Sequence, residues 1–386
     1  MPAPRNILLL IETSKAFGRK LLHGVGRYIT ESGCHWAVYV EERGKRERPP
    51  SWVERFDGDG VIAHSPSAKD VQTLRSLGVP MVETDMCGMD QGVPVVYSDE
   101  RAIVELAVDH FLERNITRIA WCQLVKRPWC GFRLEALTQV LKSKNMTLED
   151  SYIPKRQRPM EWFDQRRDMM GWLDSLEPGT GIFCANDLCG TRLLEAARIA
   201  EIAVPDRVAI LGVDNDPVLC GLAWPQLSSI EQNAEHIGYR SAELIDKMLQ
   251  GEQPEQLTTW VQPTGVETRR SSDVVVAQHP DVVAAVRYIH EEACAGIRVK
   301  DVAAHVAVSR SQLEKLFRRD LGRSPKAEID RVRLTHAKDL LQQGNLTITS
   351  IARRCGFASS QYFSYVFSHR FGMSPGKWRR EHGNAR

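Results

Sequence analysis

Two short phrases recur near the end of this chain at a separation of fifty residues, "LGRSP" at 321–325 and "FGMSP" at 371–375. Each closes a stretch with the same internal order. In "VKDVAAHVAVSRSQLEKLFRR" at 299–319, Val302, Ala303 and Val306 form one face of a short helix, and Ala307-Val308 is a turn. Ser309 then opens a second helix, with Gln312 at the spacing of a capping box, and Leu313, Leu316 and Phe317 face inward. The stretch 349–370 repeats the plan. Ile351 and Ala352 match Val302 and Ala303, Gly356 supplies a left-handed turn position, and Ser359, Phe363 and Phe367 match Ser309, Leu313 and Phe317. Two short helices joined by a tight turn, twice over, predict an all-α domain with two helix-turn-helix motifs. The apolar stripe through Ala327–Gln342 predicts a linker helix between them. Such a linker can hold two recognition helices about one DNA turn apart, roughly 34 Å.

Charge follows the same division. Residues 281–386 carry 19 Lys and Arg against 10 Asp and Glu, a net of +9, while residues 1–280 carry 32 against 39, a net of −7. The whole-chain value of +2 therefore conceals an acidic body and a basic tail, and the basic tail is the footprint of a phosphate-neutralising domain.

The first 280 residues alternate short apolar runs with amphipathic stretches. Strands are predicted at Ile7–Ile11, Trp36–Val40, Gly60–Ala63, Pro80–Val82, Ile119–Trp121, Gly181–Ala185 and Val208–Val213, with helical spacing between them. Alternation of this kind makes parallel sheets with right-handed crossovers, and the length suits two α/β lobes with a cleft between them. Ligands of such sheets bind beyond the carboxyl ends of the strands. Lys15, Asp85, Asn186, Asp187 and Asp214 all follow predicted strands. Carboxylates and an amide aimed into one cleft suit a neutral polyol, and Trp129 and Trp162 offer indole faces for a sugar ring.

These segments carry a resemblance. "GDGVIA" at 58–63, "LGVPMV" at 77–82, "SDERAIVELAVDHFLERNITRIAW" at 98–121, "CANDLCG" at 184–190 and "VAILGVDN" at 208–215 resemble the ligand core of lactose-repressor-like regulators and periplasmic sugar-binding proteins. The resemblance implies a two-lobed core that places Asp214, Asn186, Asp85 and Trp162 against a small sugar. It also implies an Arg near the lobe crossing, where Arg127 and Trp129 flank the matching position, Pro128. Lactose-repressor-like proteins begin with a helix-turn-helix, whereas the first strand here starts at Ile7, so a DNA-reading part is expected elsewhere.

"IARRCGFASSQYFSYVFSHRFGMSPGKWRR" at 351–380 is similar to the C-terminal signature of AraC/XylS-family DNA-binding domains. That likeness implies that Arg310, Ser311, Gln312 and Lys315 meet bases or phosphates in one groove. Ser359, Ser360, Gln361 and Ser364 would do so in the next, with Phe363 in the core and Tyr362 divided between two roles. The pairing of the two families implies a regulator of a sugar operon, controlled by a pentose such as D-xylose. Gly18 and Asp85 depart from that pattern, an acidic residue being expected at the first and a small one at the second, which leaves the sugar open.

The expected organisation is a sugar-binding core at 1–270, a linker at 271–280 and an AraC-type domain at 281–386. The expected function is sequence-specific transcription regulation on double-stranded operator DNA as a homodimer. The alternative is a sugar-binding or sugar-processing protein whose basic tail is only an interaction module. No apolar run near the start approaches the roughly 20 residues that span a bilayer. The nine scattered cysteines then read as free thiols of a cytoplasmic protein with no membrane partner. Cys184 and Cys189 lack paired ligands in the neighbouring sequence and read as structural thiols. "HEEAC" at 290–294 lacks the second His of a metalloprotease helix, and "GVG" at 24–26 lies inside a helix. No catalytic residue, cofactor or metal is expected, and the chain is not expected to be an enzyme.

Overall fold

Ile7 to Ile11 are at most 2% exposed, so both faces of the first strand are covered, as in the interior of a parallel sheet. Their side chains alternate between two cores: Ile7, Leu9 and Ile11 enter one cluster, Leu8 and Leu10 another. The computed structural model describes residues 3–41, 49–65, 67–154, 161–274, 279–342 and 346–382. It divides into two compact units, Met1–Val274 and Val275–Arg386.

The first unit runs β1 (Arg5–Leu10), α1 (Ala16–Ser32), β2 (Trp36–Val40), β3 (Gly60–Ala63), α2 (Ala68–Arg75), β4 (Met81–Glu83), β5 (Val95–Ser98), α3 (Glu100–Leu112), β6 (Arg118–Cys122) and α4 (Pro128–Ser143). It continues with β7 (Leu148–Tyr152), α5 (Trp162–Ser175), β8 (Thr180–Cys184), α6 (Asp187–Ile199), β9 (Val208–Val213), α7 (Pro217–Leu222), β10 (Ser228–Glu231), α8 (Ala234–Leu249), β11 (Thr258–Val261) and β12 (Gly265–Glu267). Two six-stranded sheets result, in the orders β11-β5-β4-β3-β1-β2 and β12-β10-β9-β8-β6-β7. All pairings are parallel except β10 with β12. The chain passes between the lobes after β5, after β10 and after β11, so α3 packs in the second lobe and α8 returns to the first.

The sequence missed β5, β7, β10, β11 and β12, and with them α5, α7 and α9. β10 reads "SSIE" and the edge strand β7 reads "LEDSY", and neither has the apolar run of a central strand. The expected linker also begins too early. Ser271 and Ser272 are fully buried in the second lobe: the Ser271 hydroxyl donates to the Ile210 carbonyl at 2.6 Å, and Ser272 Oγ lies 2.7 Å from His110 Nε2. Of the rest, residues 275–278 lie outside the described residues.

The second unit comprises α9 (Pro280–Glu292), α10 (Val299–His305), α11 (Arg310–Leu321), α12 (Pro325–Gln342), α13 (Ile348–Arg354), α14 (Ser360–Phe371) and α15 (Pro375–His382). Two helix-turn-helix pairs, α10–α11 and α13–α14, each keep a separate core. Ser309 and Ser359 cap their second helices by accepting from the N–H groups of Gln312 and Tyr362, both at 3.1 Å. The turns close alike, through Val308 N–H to Ala303 O and Phe357 N–H to Ala352 O. Ala307 at φ 55° and Gly356 at φ 75° take the left-handed positions. Gly356 is further constrained, because a Cβ there would lie 2.7 Å from the Ala293 carbonyl oxygen. Arg333 of α12 donates to that same oxygen at 2.8 Å and to Ile297 O at 2.9 Å, with its guanidinium over the Phe357 ring. Helix α12 thus fixes one helix-turn-helix against the other.

Candidate functional site

The ends of six strands, β1, β3, β4, β8, β9 and β10, bring their following residues to one place, joined there by Tyr97 on β5 and by Trp129 and Arg133 on α4. A cleft of about 510 Å³, counted out to where it meets solvent, is lined by Glu12, Lys15, Phe17, Gly18, His64, Asp85, Tyr97, Trp129, Arg133, Asn186, Asp214 and Gln232. The first lobe supplies residues through Tyr97, and the second supplies Trp129 to Asp214, with Gln232 on a lobe crossing. This is the position that open parallel sheets reserve for ligands.

On the first lobe the acids and bases alternate. Lys15 Nζ lies 3.3 Å from Glu12 Oε2, and His64 Nε2 lies 3.6 Å from Asp85 Oδ2, with the Phe17 ring packed on the imidazole at 5.5 Å. Asp85 spends one oxygen on the N–H of Cys87 at 2.9 Å. Behind it the buried Glu83 gathers the N–H groups of Ser65, Thr84 and Asp85 on a single carboxyl oxygen. Burial pushes that carboxyl up to about 8, so it is held neutral at the base of the site. Gly18 admits no side chain, because its Cβ would lie 1.8 Å from the Glu12 carbonyl oxygen. No acid stands at that position, and the Glu12 carboxylate lines the same cleft.

On the second lobe Asn186 caps α6 by accepting from Cys189 N–H at 3.0 Å. Arg133 is 1% exposed and spans the crossing: it grips Glu100 through Nε and Nη2, donates to the Ala185 carbonyl at 2.6 Å and stacks on Trp129. Gln232 donates to Asp214 Oδ1 and accepts from Ser98 Oγ and Arg133 Nη2. Burial raises the Asp214 carboxyl to about 6, while Arg133, Lys15 and Lys20 pull it back down.

Among the residues expected at the ligand, Lys15, Asp85, Trp129, Asn186 and Asp214 line the cleft; Arg127, Trp162 and Asp187 do not. Arg127 precedes Pro128 in extended backbone, and the guanidinium in the cleft is that of Arg133, more than a turn into α4. Trp162 lies beneath the Arg192 guanidinium at 3.9 Å on the flank of the second-lobe core. Asp187 is wholly buried, accepting from Ser229 Oγ at 2.5 Å, Asp216 N–H at 2.7 Å and Cys220 Sγ at 3.3 Å. Glu12 and His64 follow strands the sequence did identify and were legible by the same rule. Tyr97 and Gln232 sit on or beside strands it missed, and Arg133 projects from a helix, where no strand-end rule reaches.

In the second unit Arg310, Ser311, Gln312, Lys315, Ser359 and Gln361 are exposed at the starts of α11 and α14, with Ser360 and Ser364 half-buried. Phe363 is in the core, whereas the Tyr362 hydroxyl donates to Asp330 on α12 at 2.9 Å. Exposed Arg318, Arg319, Arg353, Arg354 and Arg370 surround these faces. Among the described residues no helix is long and apolar enough to cross a membrane.

A two-lobed core with a polar cleft, joined to paired and basic helix-turn-helix motifs, defines a ligand-responsive DNA-binding transcription regulator. Comparison with known proteins agrees by segment: residues 6–91 match the XylR N-terminal domain, 108–272 a periplasmic binding protein-like domain and 302–381 a helix-turn-helix domain. The chain belongs to the family of xylose operon regulatory proteins. It is 30% identical over 380 residues to the one from Haemophilus influenzae, covering 97% of each chain. To that of Escherichia coli K12 it is 31% identical, covering 97% of this chain and 96% of the relative. A solved structure of a xylose-binding transcription activator superposes with a TM-score of 0.72 at 30% identity, over 99% of this chain and all of the other. A ribose-bound regulator of the lactose-repressor family from Enterococcus faecium, at 20% identity and a TM-score of 0.57, shares the fold of the core.

Proposed function

We propose that D-xylose, or a pentose of closely similar stereochemistry, is the effector that closes the two lobes. A sugar of this size presents hydroxyls that both donate and accept, and the cleft matches them with Glu12, Asp85 and Asp214 as acceptors and Lys15, Arg133 and Asn186 as donors. Trp129 and Phe17 supply apolar faces for the ring carbons. The observation that carries this reading is the convergence of these side chains from the strand ends of both lobes.

Operator DNA is read by a cytoplasmic homodimer, through Arg310, Ser311, Gln312 and Lys315 in one major groove and Ser359, Ser360, Gln361 and Ser364 in the next. Lobe closure alters how the paired DNA-binding units engage the operator, which makes the coupling between sugar and DNA reciprocal. The chain acts by binding and not by catalysis. Operator affinity measured with and without D-xylose, L-arabinose, D-ribose and D-glucose tests the reading. D-xylose is expected to shift operator affinity at least tenfold and the hexose not at all; no response to any pentose overturns it.

A further inference from the structure

Cys122 at the end of β6, Cys184 at the end of β8 and Cys189 in the first turn of α6 meet in the core of the second lobe. None is exposed, and their three Sγ atoms lie within 4.8 Å of one another. Cys122 and Cys184 are register partners on adjacent parallel strands, and Cys189 Sγ stands 3.4 Å from Cys122 Sγ. In the sequence Cys184 and Cys189 read as structural thiols; the fold brings a third thiol to them, from sixty-seven residues upstream of Cys189.

The spacing has a chemical meaning. A zinc–thiolate bond is about 2.3 Å, so three thiolates around one ion stand about 4 Å apart. The three sulfurs are already near that separation, on three elements that hold them in place. Soft thiolate donors select d10 cations such as Zn²⁺ over the hard cations that prefer oxygen.

We propose that Cys122, Cys184 and Cys189 form a three-thiolate site for a divalent d10 cation of the zinc group. On loading, each thiol releases its proton to solvent and each sulfur donates an electron pair to the ion, so a dication replaces three protons and the site carries one net negative charge. One feature favours that charge: Cys189 is the third residue of α6, a thirteen-residue helix whose N-terminal end carries positive partial charge. The ion ties β6, β8 and α6 together directly beneath Asn186, which lines the effector cleft between Cys184 and Cys189 in the chain. Because the thiols are buried, loading takes place as the chain folds.

Cd²⁺ is the probe, since its thiolate complexes absorb in the ultraviolet. The full chain is unfolded in denaturant with reductant and chelator, refolded with Cd²⁺, and desalted. One ion retained per chain, with a thiolate charge-transfer band, is expected for the natural chain. The same is expected for Cys34→Ser/Cys87→Ser/Cys294→Ser, which removes the three partly exposed thiols. Loss of both ion and band is expected for Cys122→Ala/Cys184→Ala/Cys189→Ala. Retention by that variant, or no ion held by the natural chain, overturns the proposal. Should the triple variant fail to bind operator or to give a native circular dichroism spectrum, Cys189→Ala alone is titrated against a competing chelator. It is expected to hold Cd²⁺ at least tenfold more weakly, and unchanged affinity overturns the site.

Discussion

The ammonium of Lys20, on α1 of the first lobe, donates to the backbone carbonyl of Asp214 in the second lobe at 2.9 Å. It also reaches the Asn215 carbonyl at 3.2 Å and the Glu231 carboxylate at 2.5 Å. Asp214 and Asn215 both have positive φ, 113° and 47°, a conformation that non-glycine residues hold only where the surroundings impose it. Lys20 holds the two carbonyls from across the cleft, while Ile230 O and Ser229 Oγ accept from the N–H groups of Asp214 and Asn215 within the second lobe. It thereby joins the helix that begins beside Lys15 to the turn that aims the Asp214 carboxylate.

Lys20→Met is therefore expected to weaken D-xylose binding about tenfold, roughly 1.4 kcal/mol, while leaving effector-free operator binding intact. The pH profile separates this role from a merely structural one. On the proposed reading Asp214 would accept from a sugar hydroxyl as its carboxylate, so sugar affinity is expected to fall as pH drops through about 6. Lys20 is among the cations that pull that value down, and its removal moves the midpoint upward. Calorimetric titration with D-xylose between pH 5 and 8 checks both; an unshifted midpoint sinks the assignment.

Asp187 answers to pH in the opposite sense, through folding stability. Burial and the nearby Asp214 carboxylate raise its carboxyl to about 8, well above the unfolded value near 4. The folded state then holds the extra proton, so the core is most stable below pH 4 on this account and loses stability as pH rises through 8. The slope approaches about 1.4 kcal/mol per pH unit for one full proton. Asp187→Asn mimics the protonated group, donating to Ser229 Oγ and accepting from Asp216 N–H. Denaturant unfolding of this variant at a series of pH values is expected to give a distinctly flatter profile than the natural chain.

A buried carboxylate of contrary behaviour holds the second unit together. Glu328 on α12 has a fully buried side chain that accepts from Arg323, from Arg331 at 2.7 Å and, at 3.3 Å, from His290. Burial alone would raise its carboxyl, yet these three partners hold it far below the ordinary carboxylate range. Its contribution is present above the unfolded value near 4.5 and is lost as pH falls. Glu328→Ala removes the carboxylate that Arg323 and Arg331, both only partly buried, share, and is expected to cost about 1.5–3 kcal/mol. Unfolding followed by the near-ultraviolet signal of this unit's aromatics measures the loss.

The fold was legible wherever a strand had two covered faces or a helix had one. β1, β2, β3 and β9 announce themselves by apolar runs or alternation, whereas β10 and β7 are short or polar because they lie near sheet margins. The site was legible only through strand ends. Lys15, Asp85, Asn186 and Asp214 follow strands the sequence identified, while Arg133 reaches the cleft because a helix turns its guanidinium back toward Glu100. Asp187 shows the limit from the other side: it directly follows Asn186, but as the first residue of α6 it points inward and serves Ser229 and Asp216. Lys20 and Cys122 were invisible for a third reason, since their partners are remote in sequence and only the packing brings them together.

The duplicated helix-turn-helix allows a prediction that treats its halves separately. Gln361 on α14 and Gln312 on α11 occupy the second and third positions after their capping serines, both exposed and each with an amide able to pair with N6 and N7 on the major-groove edge of an adenine. Lys315 lies exposed one turn further along α11, where on the proposed reading it would meet phosphate. Gln312→Ala and Gln361→Ala are each expected to cost about 1–3 kcal/mol on operator DNA and to relax base preference at different half-sites. Lys315→Ala is expected to weaken binding to all sequences alike and to lower the slope of log affinity against log salt by about 1. Because Arg333 and Gly356 fix the two motifs against the same turn at Ala293, loss at one half-site leaves the other in register. The double glutamine variant should therefore show nearly additive losses by fluorescence anisotropy on single-site operators.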